Sequence, residues 1–383
     1  MTPVDGTPID GTPLDVVVIG GGQAGLATSF WLRRAGIEHV VLDDANQPAG
    51  AWARTWPSLR AFSPPQYSSL PGWLMPRWEG DGGFPPREHV VDYLTEYELR
   101  YDLPVQRPVR VGSVHDAGER LRVEATTPSG PMTWLARTVV SATGTWSRPF
   151  IPSVPGRSAF TGTQLHSARY RTPDALTTGR VLVVGGGNTG AQLAAELTAS
   201  HEVVWATQRP PRFMPDDVDG RVLFDVATAR RAALDAGRED DGGVQSLGDI
   251  VMVPAVREAV AAGHLTAVPM VERLTASGVV WGHHDTDGST WNTPPAPAGE
   301  EYGIDVVLWC TGYRPALGHL RPLGLRGTDG RVGIADGSMT QAADDPRVHL
   351  MGYGDWTGPA SATLIGVGRP ARAAVREIGE LLG

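Results

Sequence analysis

Two glycine-rich turns carry the chemistry that this sequence makes legible. In "LDVVVIGGGQAGLATSFWLRRAG" the apolar, β-branched run Asp15–Ile19 leads straight into Gly20, Gly22 and Gly25. The spacing is GxGxxG, and each glycine has its own task. Gly20 permits a tight turn, Gly22 lets backbone approach a pyrophosphate, and Gly25 lets the next helix pack closely on the strand. That helix, with apolar Leu26, Phe30 and Trp31, offers free N–H groups and the positive end of its dipole. A second strand, "HVVLD", ends in Asp43, eighteen positions beyond Gly25. A carboxylate there accepts from a ribose hydroxyl, so strand, helix and acid in register predict a dinucleotide site.

"RVLVVGGGNTGAQLAAELTASHEVVWATQRPP" repeats the design, with Gly185, Gly187 and Gly190 after the strand Val181–Val184. Where the first unit has Asp43, the second has Gln208 and then Arg209, nineteen positions after Gly190. A carboxylate suits a free 2′-hydroxyl and repels a 2′-phosphate, whereas arginine accommodates the phosphate. FAD is therefore expected in the first site and NADPH in the second, with NADH left open. The plain alternative for Arg209 is a solvated surface arginine. Two dinucleotide sites in one chain imply hydride transfer from nicotinamide to flavin.

The elements that must position these turns follow from the flanking sequence. At 138–155, "TVVSATGTWSRPFIPSVP" is an apolar strand running into Ala142-Thr143-Gly144, and "IDVVLWCTGYRP" at 304–315 is a matching exit. The expected architecture is α/β, with two Rossmann-like dinucleotide-binding domains, the NADPH domain inserted into a discontinuous FAD domain. The FAD domain takes 15–155 and 305–383, and the NADPH domain 156–304. Residues 217–262 exceed what a minimal nicotinamide domain needs; they read as charged helix, a "REDDGG" tip and a second helical run at Val256–Ala262. A solvated face is the plain reading, a cap over the substrate pocket the sharper one. Near the end, "VHLMGYGDWTGPASATLIGV" predicts a strand, then Gly354-Asp355, then a small-residue helix start. Residues 1–14, with their "TPVDG", "TPIDG", "TPLD" repeat, are expected to form a flexible leader.

Composition narrows the class. The 383 residues carry a formal net charge of −9, which argues against a nucleic-acid or anionic-membrane partner. Cys310 is the single cysteine, so neither an internal disulfide nor a CxxC dithiol relay can form. A cytoplasmic setting is expected, and a homodimer is left open. No uncharged apolar run reaches the ~18 residues of a spanning helix. No His/Cys/Asp cluster with ligand spacing predicts a metal.

Taken together, these motifs resemble the class B flavin-dependent monooxygenases, the group of flavin-containing and Baeyer–Villiger monooxygenases. The most specific piece is Phe160-x-Gly162-x-x-x-His166-x-x-x-Tyr170-Arg171, similar to that group's fingerprint. The Tyr-Arg ending resembles the N-oxygenating branch more than the Trp-Pro ending of Baeyer–Villiger enzymes. A closer likeness is to the ArsO-type monooxygenases, in "SLRAFSPPQYSSLPGW", "RPPRFMPDDVDGRVLF", "GDIVMVP" and "GYGDWTGPASATLIGV". It runs from about Asp15 to near the C-terminus.

The resemblance implies FAD contacts at Gln23, Ala24, Asp44, Gly50, Trp52, Val111, Gly144, Gly354 and Asp355, besides the first turn and Asp43. It implies NADPH contacts at His166, Asn188, Thr189 and Gly312, besides the second turn, Gln208 and Arg209. His166 and Ser63 are the candidates for a catalytic role, and the flavin itself does the chemistry. Where relatives have Gly-Gly-x-Trp after the acid, this chain has Ala49-Gly50-Ala51-Trp52, and Ala49 is expected at negative φ. Ser63 stands nearest to an asparagine of many relatives. Asp355 could equally cap a helix, Trp52 could simply pack, and Cys310 reads as a small buried residue.

The implied reaction is NADPH reducing FAD, oxygen adding at the flavin C4a, and one oxygen atom passing to a nucleophilic nitrogen, sulfur or trivalent arsenic. The rivals are a reductase or oxidase without oxygen transfer, a Baeyer–Villiger-type oxygenation, and a non-catalytic flavin-binding regulator.

Overall fold

A computed structural model describes residues 14–80, 83–215, 250–284, 291–325, 327 and 331–383. Residues 1–13 of the leader and the charged part of the 217–262 segment, with its tip, lie outside the described residues, whereas Leu14 already belongs to the first strand. In chain order the first unit comprises β1 (Leu14–Ile19), α1 (Gln23–Arg34), β2 (His39–Leu42), α2 (Arg87–Arg100), β3 (Val105–Gln106), β4 (Arg110–Ala117), β5 (Arg120–Thr127) and β6 (Gly130–Ser141). The second comprises β7 (Thr163–His166), β8 (Arg180–Val184), α3 (Asn188–Leu197), β9 (Glu202–Thr207), α4 (Pro254–Ala261), β10 (Ala267–Pro269), β11 (Arg273–Leu274), β12 (Gly278–Val280), β13 (Glu301–Gly303) and β14 (Val306–Trp309). The chain then returns with β15 (Val348–Leu350) and α5 (Gly368–Leu382).

Apolar strands with helices between them give parallel pairing. The first sheet runs β3-β2-β1-β6-β5-β4, with β15 added alongside β6. Its β1, β2, β6 and β15 are parallel, whereas β4, β5 and β6 form an antiparallel meander. The second sheet, β10-β9-β8-β14-β7, is parallel throughout, and β11-β12-β13 form a small antiparallel sheet beside it.

Side-chain alternation along a strand divides each central strand between two cores. On β1, Val16 and Val18 join the core under α1, α2 and α5, whereas Val17 and Ile19 join the one against the meander. On β8, Val181 and Val183 face α3 and α4, and Leu182 and Val184 face the small sheet. A run buried on both faces must be apolar throughout, as these strands are.

Two expectations need correction. Val306–Trp309 pairs with β7 and β8, so it belongs to the second sheet, and the return to the first comes after it rather than at 305. A strand apolar on both faces fits either parallel sheet, and only pairing decides. No small-residue helix starts after Gly354-Asp355: that pair opens a short 3-10 helix, Gly354–Thr357, which turns follow, and regular helix begins only at Gly368. The second helical run, expected at Val256–Ala262, is α4, which starts two residues earlier and ends at Ala261.

Candidate functional site

The first glycine turn works by contact. Gly20 has φ +110°, and a Cβ there would lie 2.5 Å from the Ala142 carbonyl oxygen. A Cβ on Gly25 would lie 1.8 Å from the Gly20 carbonyl oxygen, so only glycine lets α1 start against β1. A Cβ on Gly22 would meet nothing within 4 Å, which leaves the backbone at the head of α1 open to a ligand.

A cleft of about 670 Å³ opens there. Gly20, Gly22, Gln23, Ala24, Asp43, Asp44, Gly50, Trp52, Val111, Gly144 and Gly354 all line it. Val111 sits where β4 breaks register with β5. Trp52 donates from its indole N–H to Gln23 Oε1 at 2.9 Å, and Gln23 Nε2 donates to the Ala362 carbonyl at 2.7 Å. Gln23 thus ties the head of α1 to two segments distant in sequence. Asp44 pairs with Arg54 at 2.9 Å, and Arg54 also lines the cleft.

Asp43 is only 4% exposed. Arg107 donates to it at 3.3 Å and forks onto both oxygens of Glu98, at 2.5 and 2.8 Å. Burial works against the Arg107 cation, but hydrogen bonds and charge from Glu98, then Asp43, raise its pKa overall. The acid predicted from spacing is therefore backed by a cation and a second carboxylate from α2. Nothing in the local spacing around Asp43 announces either.

The second turn copies the first. Gly185 has φ +134°, with a would-be Cβ 2.3 Å from the Cys310 carbonyl oxygen; Gly190 would press on the Gly185 carbonyl oxygen at 2.0 Å; Gly187 is open. Cys310 is thus the counterpart of Ala142, and burial raises its thiol pKa. Asn188 Oδ1 accepts from the Val251 N–H at 2.8 Å, and Thr189 follows it, half-buried, on α3. Gln208 and Arg209 stand exposed just past β9, and Arg209 has no ion pair among the described residues.

The two Thr-Gly exits run side by side, which their matching sequences hinted at without fixing. Phe150 N–H donates to the Gly312 carbonyl at 3.0 Å, Arg314 N–H to Arg148 at 2.9 Å, and Ala316 N–H to Gly144 at 3.0 Å. Trp146 stacks on Tyr313 at 5.3 Å, and His166 meets Tyr313 edge-on at 4.9 Å.

His166 Nδ1 accepts from the Ala168 N–H at 3.1 Å, so Nε2 bears the proton and donates to the Gly312 carbonyl at 3.0 Å. Burial lowers its pKa against the raising effect of Gly312. Both nitrogens are committed to backbone, which fits a neutral tie between β7 and the second exit and not proton transfer. Ser63 is absent from the cleft lining; its hydroxyl pairs with Ser68 at 2.7 Å. Asp355 is exposed and absent from that lining too, and its Oδ1 accepts from the Ala360 N–H at 3.3 Å. Ala49 reverses the expectation: its φ is +70°. Thr143, read in the sequence only as part of the first exit, also lines the cleft, as do His319 and Tyr353, which the sequence did not single out.

Among the described residues no group of three or more His, Cys, Asp or Glu could hold a metal ion, and no helix is long and apolar enough to cross a membrane.

Known proteins agree with this geometry. The profile of the pyridine nucleotide-disulphide oxidoreductases matches residues 17–230. The solved flavin-containing monooxygenase from Stenotrophomonas maltophilia is 46% identical, superposes with a TM-score of 0.83, and is matched over 97% of this chain and 100% of that one. An uncharacterized CzcO-like oxidoreductase of Geobacillus kaustophilus is 35% identical over 55% of this chain and 58% of its own. The probable indole-3-pyruvate monooxygenase YUCCA4 of Arabidopsis thaliana is 29% identical over 55% of this chain and 51% of its own. The match spans just over half the length of these last two relatives. The dithiol chemistry in the family's name has no seat in a chain with one cysteine. Two glycine cradles, a long cleft at the first and near-complete correspondence with a solved relative place this chain in the pyridine nucleotide-disulphide oxidoreductase family, as a flavin monooxygenase.

Proposed function

We propose that the protein is a single-component monooxygenase that holds FAD in the first cradle, takes hydride from NADPH at the second, and transfers one oxygen atom of O2 to a soft nucleophilic atom of a small molecule. Nitrogen, sulfur and trivalent arsenic are the candidate atoms. The observation that carries the reading is the pairing of one turn geometry with opposite charge, a buried Asp43 after the first turn and an exposed Arg209 after the second. When bound, the flavin supplies the activation of oxygen.

The chain's own residues bind and orient. The open backbone at Gly22 and the head of α1 favour a pyrophosphate. Asp43, paired with Arg107, accepts from a ribose. Trp52 is held in the cleft wall by Gln23. Arg209 supplies the cation for a 2′-phosphate. His166 fixes the second exit, through Gly312, relative to the cradle it flanks.

The test is stoichiometry. The flavin-loaded protein is given NADPH and air with a thioether, a tertiary amine or a trivalent methylarsenical. Oxygenated product should account for most of the NADPH consumed with at least one of them. If all of the NADPH appears as hydrogen peroxide with all three, the monooxygenase reading fails and an NADPH oxidase replaces it.

A further inference from the structure

The wall of the first cleft holds two buried polar networks, and one of them closes within the chain. Thr143 Oγ1 donates to the Ala316 carbonyl at 2.9 Å and accepts from the Tyr353 hydroxyl at 2.8 Å. Tyr353 in turn accepts from Ser141 at 2.9 Å, and Ser141 from the Nε2–H of His319 at 3.1 Å. Each hydroxyl gives one proton and receives one, so this chain is complete with a neutral imidazole.

The network at Asp43 does not close. Among the described residues its side chain accepts two hydrogen bonds, both long, from the Ala45 N–H at 3.4 Å and from Arg107 Nε at 3.3 Å. A carboxylate offers about four acceptor sites, and strong charge-assisted N–H···O bonds run to about 2.7–2.9 Å. Asp43 is nevertheless buried, and it lines the cleft. A buried carboxylate short of donors is costly unless a group entering the cleft supplies them.

Glu98 imposes the shortage. β2 and β3 pair in register through Leu42 and Gln106, so the next residues, Asp43 and Arg107, stand side by side. The Asp43 N–H fixes that register by donating to the Gln106 carbonyl at 3.0 Å. A guanidinium beside a carboxylate commonly forks onto both of its oxygens. Here the fork goes to Glu98 on α2, at 2.5 and 2.8 Å, and Asp43 keeps only the Nε–H. The side chains of Arg107 and Glu98 are no more than 13% exposed, so water does not loosen that grip. Arg54, the other arginine close by, pairs with Asp44 at 2.9 Å. Without Arg107, Asp43 would be buried with no cation beside it, which is costly. Without Glu98, the fork would close on Asp43 and occupy the oxygens that a ribose needs.

We propose that Glu98 is a positioning residue for the ligand's ribose: by taking the fork of Arg107 it keeps the Asp43 carboxylate open, and the 2′-hydroxyl of the adenosine ribose completes the network from the cleft side. The inference rests on the first cradle being the FAD site. Glu98 is not part of the cleft lining and acts only through Arg107.

Affinities of the flavin-stripped full chain for FAD and for its 2′-deoxyadenosine analogue, read by flavin fluorescence, test it. The unaltered protein should prefer FAD about tenfold or more, the worth of one hydrogen bond to a charged group. Glu98→Gln keeps the volume and gives up the fork, so Arg107 should turn onto Asp43 and the preference should largely vanish. Glu98→Gln/Arg107→Gln removes the competing cation as well, and the preference should return even where both affinities fall. An unchanged preference in Glu98→Gln, whether or not both affinities fall together, overturns the proposal. So does a preference lost in the single variant and not recovered in a folded double variant. Should the double variant not fold, the single variant decides alone, because general damage weakens both ligands alike. If the unaltered protein binds FAD and the analogue equally, the ribose contact of Asp43 fails and this inference with it; if it binds neither, the flavin reading of the cleft fails.

Discussion

The two glycine cradles are near copies in backbone and unlike in surroundings. In both, the first glycine takes positive φ beneath a carbonyl from a neighbouring exit, Ala142 in one and Cys310 in the other. In both, the third glycine lies against the first one's carbonyl oxygen, at 1.8 and 2.0 Å from a would-be Cβ. What differs is everything the turn does not dictate. The acid after the first turn is buried behind Arg107 and Glu98, whereas Arg209 stands exposed after the second. The turn at Ala49-Gly50 also closes on the first cradle, a Cβ on Gly50 falling 2.8 Å from Gly22 Cα. Steric rules fix the shape of a dinucleotide cradle; the charge and cover around it are set by residues the turn does not dictate.

The largest effect should separate the cradles outright. Gly25→Ala forces a Cβ into the Gly20 carbonyl, and Gly190→Ala does the same at Gly185. Relief needs backbone movement, and such overpacking typically costs about 1–3 kcal/mol or more. Gly25→Ala should purify almost free of flavin, read as visible absorbance per chain. Gly190→Ala should keep its flavin yet lose reduction by NADPH at least tenfold in stopped flow. Flavin loss in both variants would mean that the second cradle is not a separate site.

Acid should loosen the first unit before the second. His349, on β15, is fully buried, and burial holds its pKa down to about 4 from an ordinary 6.5. The folded pKa lies below the unfolded one, so the unfolded chain binds more protons between these values. Stability is then full above about pH 6.5 and is lost as pH falls toward 4, by up to about 3 kcal/mol from this residue. His349→Gln should flatten that slope in thermal unfolding followed from pH 7 to 4.5. An unchanged slope would show that His349 does not carry it.

Arg209→Ala probes the sign change between the cradles. A charge-assisted hydrogen bond contributes about 1.5–3 kcal/mol, so the apparent affinity for NADPH should fall ten- to a hundredfold while that for NADH barely moves. Equal losses for both coenzymes would sink the 2′-phosphate assignment. Flavin content should be unaffected.

These tests draw on parts of the molecule that the sequence revealed unequally. Gly20 to Asp43 and Gly185 to Arg209 were legible because a turn, a close approach and a charge within thirty residues are local facts. The pairing of Val306–Trp309 with the second sheet was not, because a strand apolar on both faces fits either sheet. Arg107 reaches Asp43 from 64 positions along the chain and is itself gripped by Glu98, 55 positions from Asp43, and no spacing rule anticipates either. The Thr143–Tyr353–Ser141–His319 chain is more remote still, joining residues more than 170 positions apart through hydroxyls that look unremarkable in sequence. Ser63 went the other way: sequence position suggested the site, and folding gave its hydroxyl to Ser68.

The smallest effect concerns Ala49, and it asks whether the cover of the first cradle is strained. At φ +70° an alanine costs roughly 1–2 kcal/mol relative to its favoured region. Ala49→Gly removes that cost. It also adds back about 0.5–1 kcal/mol of glycine's greater unfolded-chain entropy. Ala49 is fully buried in the core under α1, so losing its methyl forfeits about 0.8 kcal/mol more. The terms nearly cancel, and the variant should unfold within about 1 kcal/mol of the parent with its flavin retained. That near-balance is how an alanine survives in a left-handed turn. Ala49→Val tips it, because a β-branched side chain at positive φ is strained. A clear gain in melting temperature for Ala49→Gly would show instead that the turn over the first cradle holds strain that the buried methyl does not offset.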